Sequence, residues 1–87
     1  MVKFLTKDEV LNILEDQRRK NVMWLFQMLT NEYIRHIKNT RTTEFTYTLP
    51  EGVPQIEITM LIEMIEEKKE FWADQLDEKT LNIKPRS

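Results

Sequence analysis

The chain of 87 residues has no cysteine, one glycine, one histidine and one serine. Each scarcity removes a class of explanation. Without cysteine there is no disulfide framework, no thiolate metal site and no thiol nucleophile. The single histidine, His36, is too little for a zinc or iron centre, so neither a metal nor another cofactor is expected. The single glycine, Gly52, rules out a glycine-rich phosphate loop. The single serine is Ser87, so no serine nucleophile with an adjacent base is expected. No apolar run approaches the roughly 20 residues that cross a bilayer. The opening stretch Met1 to Asp8 has neither the apolar segment nor the small-residue cleavage site of a secretory signal. Together these point to a cytoplasmic protein that is not an enzyme and does not sit in a membrane.

What is present describes a small folded domain. Hydrophobic residues make up 40% and charged residues 32%, the balance of a chain that folds. A core in one domain of this length is marginal unless something reinforces it. With disulfides and metal set aside, oligomerisation remains, and a homodimer is the simplest form. The net charge of −2 hides an asymmetry: Met1 to Arg41 balances at +3 and Thr42 to Ser87 at −5. Opposite-signed halves can pair within one chain or between copies. Wholesale nucleic-acid binding favours a more basic chain.

The reading along the chain is α-β-α-β-β. Thr6-Lys7-Asp8-Glu9 is a capping box, with Leu5 and Val10 placed for a hydrophobic staple. No glycine or proline follows until Pro50. Apolar residues recur at helical spacing through Val10, Ile13, Leu14, Val22, Leu25, Phe26, Leu29, Tyr33 and Ile37. One helix over about residues 7–39 is expected, with a break near Asn21 as the alternative. Alternation of Phe45, Tyr47 and Leu49 with polar neighbours predicts a strand over about 42–49. Pro50 to Pro54 is a turn, and a second helix follows over about 54–69. Ile58, Leu61, Ile62 and Ile65 form one stripe of that helix, and Ile56, Met60 and Met64 a second. Glu57, Glu63, Glu66, Glu67 and Glu70 are expected on its wet side. A hairpin over about 71–84 closes the chain. The expected fold is α+β, both helices lying on one face of a three-stranded antiparallel sheet in a single domain.

Two groups of residues are candidates for function. The run Val22 to Leu29 is apolar nearly all round a helix, which implies burial on more than one side. With Val22, Leu25, Phe26 and Leu29 facing the sheet, Met23, Trp24 and Met28 point elsewhere. Either the second helix covers them, or they form a self-association or partner surface anchored by Trp24, with Met60 and Met64 added from the second helix. Trp and Met are enriched in interface cores, and burying Trp24 is worth about 2–3 kcal/mol. The second group is Arg35, His36, Lys38 and Arg41 near the end of the first helix. These either complement the negative helix terminus or bind an anion, as a nucleic-acid module or a sponge for a nucleotide signal. Arg18, Arg19 and Lys20 extend that basic character along the helix.

Phe45-Thr46-Tyr47-Thr48-Leu49-Pro50, Glu70-Phe71-Trp72-Ala73-Asp74 and Leu81-Asn82-Ile83-Lys84-Pro85 resemble the strand, turn and hairpin segments of small early proteins of tailed bacteriophages. The resemblance spans roughly the C-terminal half. It implies a non-catalytic inhibitor or adaptor acting on host machinery or host defence, with a host protein as partner. It transfers no functional residue. The leading expectation is therefore a homo-oligomeric binding protein that occupies a host protein. An anion binder and a structural component of a particle stand beside it.

Overall fold

The computed structural model describes residues 4–86. Helix α1 runs from Lys7 to Thr40 without a break, so the polar stretch around Asn21 is an exposed part of one helix. The Thr6 hydroxyl accepts from the Glu9 amide at 3.1 Å, which satisfies one of the free donors at the helix start. Asp8 and Glu9 lie in that first turn, where the helix dipole favours negative charge. The helix ends where Arg41 turns left-handed, with φ 59 and its amide bonded to the Ile37 carbonyl.

Strand β1 covers Phe45–Thr48, helix α2 Gln55–Glu66, strand β2 Phe71–Asp77 and strand β3 Thr80–Pro85. The order of elements is the expected one, and two boundaries differ. Residues 42–44 form a corner rather than the start of β1, because the left-handed Arg41 and the side chains of Tyr33 and His36 hold that backbone. Helix α2 stops three residues short of its expected end. Lys69 adopts φ 56, and its amide returns to the Glu66 carbonyl at 2.9 Å.

The sheet is antiparallel in the order β1-β3-β2. Phe45 faces Ile83 and Tyr47 faces Leu81 on one side; Ala73 faces Ile83 on the other. These residues share one face of the pleat. Val22, Leu25 and Leu29 of α1 and Ile58 and Leu61 of α2 pack onto it to complete the core. Leu81 and Ile83 on the central strand are buried completely or nearly so. The register of β2 shifts between Gln75 and Asp77, which leaves Leu76 exposed. At the edge, the Ala73 amide donates to the Glu66 carboxylate at 3.0 Å. Glu66 thus stops a strand edge instead of lying on a wholly solvated face.

Glu57 also departs from expectation. It is the one buried charged residue among those described, 6% exposed, where the helical pattern placed it on the wet side. It lies in a cleft between Asn21, Trp24 and Leu25 of α1 and the Pro50–Pro54 turn. No helix among the described residues is long and apolar enough to cross a membrane.

Candidate functional site

The lengths of the elements create the site. A helix of 34 residues is about 51 Å long at 1.5 Å per residue. Strands of four to seven residues span at most about 24 Å. The helix must therefore overhang the body. The molecule measures 62 × 23 × 21 Å, and every residue from Phe4 to Gln17 is exposed. The first three turns of α1 thus form an exposed arm that meets α2 at its base, where Glu15 borders Ile56 and Met60. On it Val10, Leu11, Ile13 and Leu14 are between 43% and 58% exposed. Lone exposed apolar residues are ordinary, but a contiguous set on a projecting helix marks an interaction surface.

The surface continues onto the body. Trp24 is 54% exposed and Met28 is half-buried. Helix α2 does not cover Trp24. It packs against the buried stripe Val22, Leu25 and Leu29, which lies on another side of α1. Met23 is also exposed, but it sits about 100° around the helix from Trp24 and belongs to a different flank. Met60 and Met64 are partly buried and packed against the core, so neither lies on the exposed flank of Trp24. Beside Trp24 is a groove of about 340 Å³, lined by Asn21, the Pro50–Pro54 turn and Glu57. The Glu57 carboxylate has no hydrogen bond or ion pair among the described residues. Among the described residues no fully enclosed side-chain polar atom lacks a partner, so its oxygens keep some exposure, and Glu57 lines this groove. Gly52 takes φ 82 at the turn that forms the wall, a conformation that favours glycine.

At the other end of α1, Arg35, Lys38 and Arg41 follow one another in steps of three, a spacing that makes helical residues neighbours. Arg35 pairs with Glu32 at 3.3 Å, Lys38 is exposed, and Arg41 is the left-handed cap. His36 turns to the opposite side. Its Nε2 lies 2.9 Å from both the Thr42 hydroxyl and the Glu44 carbonyl, and its ring rests on Phe45 with centroids 5.0 Å apart. Tyr33 donates its hydroxyl to the Thr43 carbonyl at 2.6 Å and stacks on Phe45. Burial raises the Tyr33 phenol above its ordinary pKa. Burial, reinforced by the negative charge of Glu32, does the same to Tyr47. This cluster fastens the end of α1 to the start of β1. Among the described residues, no three histidine or acidic side chains stand close enough to hold a metal ion. A further apolar cavity of about 360 Å³ lies between Phe26, Tyr33, Met64, Ile65 and Phe71, with Lys68 among its lining.

Comparison with protein-family models, curated proteins and solved structures finds no match to this chain.

The arm was only partly legible in the sequence. The apolar spacing of Val10, Ile13 and Leu14 marks a helical face, but it does not say where the sheet beneath that face ends. The signal was the mismatch in length between one helix of over thirty residues and strands of fewer than ten.

Proposed function

We propose that this protein is a non-catalytic binding protein that self-associates through α1 and acts by occupying a protein surface. The resemblance to early phage proteins makes a host protein the partner class. The observation that carries the reading is the overhang of α1, which leaves an apolar arm and Trp24 uncovered by their own chain. A projecting helix with an uncovered stripe gains by pairing, since burial of apolar area is the main favourable term in association. The placement of His36 in a structural corner and the pairing of Arg35 with Glu32 favour this over an anion site.

Light scattering coupled to size exclusion tests the self-association. At tens of micromolar the full chain is expected to run at twice 10.6 kDa, and Trp24→Ala to shift it toward the monomer. A monomer at that concentration, unchanged by Trp24→Ala, would overturn the reading.

A further inference from the structure

The exposed flank of α1 carries a pattern that says what covers it. Val10, Leu14, Gln17, Asn21, Trp24 and Met28 follow one another in steps of four and three, the seam spacing of a two-stranded coiled coil. All but Met28 are exposed in the single chain. The seam is also symmetric in sequence about residue 19. An apolar pair at each end, Val10 with Leu14 and Trp24 with Met28, flanks the polar pair Gln17 and Asn21, which already bond to each other at 3.1 Å.

We infer that a second copy of this chain lies antiparallel along that seam, with the two-fold axis at residue 19. This rests on the self-association proposed above and adds its geometry. Val10 then meets the partner's Met28, Leu14 meets the partner's Trp24, and Gln17 meets the partner's Asn21. Each small or medium side chain faces a larger one, and the two polar pairs form a single layer that sets the register. A parallel pair would set Trp24 against Trp24 and Gln17 against Gln17, and both bodies would meet at one end. In the antiparallel pair the arm of each copy lies over the exposed Trp24 of the other, and the bodies sit at opposite ends.

Two further observations agree. The first is area. The chain exposes 6894 Å², whereas a compact monomer of 10.6 kDa exposes about 5,500 Å². The excess of about 1,400 Å² exceeds the 800 Å² or so that each partner contributes to a standard interface. The second is charge. Arg18 and Arg19 have no ion pair among the described residues, since the recorded bridges belong to Lys20, Arg35 and Lys79. The antiparallel register brings the partner's Arg18 level with Lys20 and Asn21, beside the groove where Glu57 waits without a cation. Glu57 thereby offsets the crowding of like charges near the axis.

The absence of cysteine makes the test clean. Single variants Gln17→Cys and Asn21→Cys are made in the full chain, alone and mixed in equal amounts, and treated with mild oxidant, since a disulfide forms only between closely facing residues. The expected result is a covalent dimer in the mixture that joins residue 17 of one copy to residue 21 of the other, formed at least ten times faster than in either variant alone. Equal cross-linking of each variant to itself would overturn the antiparallel register. Failure to cross-link while light scattering reports a dimer would also overturn it, leaving the self-association standing. Failure together with a mass of 10.6 kDa would overturn both.

Discussion

At Arg41 the backbone takes φ 59 to end α1, a conformation that an L side chain adopts at a cost of about 1–2 kcal/mol and glycine adopts freely. Glycine is the preferred residue at such helix ends, although its freedom in the unfolded chain offsets part of the gain. Arg41→Gly is therefore expected to stabilise the fold by about 0.5–1 kcal/mol, read as a higher urea midpoint. A lower midpoint would mean that the arginine side chain contributes something its exposed position does not suggest. Glu57 teaches the complementary lesson. Its place in the helical pattern of α2 says solvent, but it lies in a cleft lined by Asn21, Trp24 and Leu25 of α1 and by the Pro50–Pro54 turn. No spacing within α2 announces a contact made by α1.

At the scale of elements, α1 is two structures in one. From Val22 to Tyr33 it is held by the sheet and α2; from Lys7 to Gln17 every residue is exposed, with Glu15 bordering Ile56 and Met60 of α2. Short helices without tertiary packing are marginal in water, so under the proposed pairing the arm is held by the second copy. Amide hydrogen exchange resolves this. In the native protein the amides of residues 11–17 are expected to be protected to a similar degree as those of residues 22–33. In Trp24→Asp, which places a charge in the seam, the arm amides are expected to exchange about ten-fold faster or more while the body stays protected. Equal protection in both proteins would show that the arm is stable alone.

The elements themselves were largely legible. The Thr6 cap, the unbroken run to Thr40, the alternation of Phe45, Tyr47 and Leu49, and the closing hairpin all follow from periodicity and capping chemistry. The boundaries at β1 and at the end of α2 were not, because two left-handed residues, Arg41 and Lys69, set them, and neither is the glycine or asparagine that signals such a turn. Of the candidate site, Trp24 and Met28 were visible as residues facing away from the core. Met60 and Met64, drawn into the same surface by residue type, pack instead toward their own core.

For the whole molecule the decisive quantities are size and mass together. The chain has a radius of gyration of 16.2 Å, against about 12 Å for a compact domain of this length. That elongation comes from the projecting arm, which the proposed pairing lays against a second copy. Small-angle X-ray scattering on the full chain reads both quantities from one curve. The expected forward intensity corresponds to twice 10.6 kDa at tens of micromolar, with a radius of gyration above 16.2 Å, because the proposed pairing sets the two bodies at opposite ends of the paired helices. A mass of 10.6 kDa with a radius of gyration that stays near 16.2 Å at every concentration would contradict it.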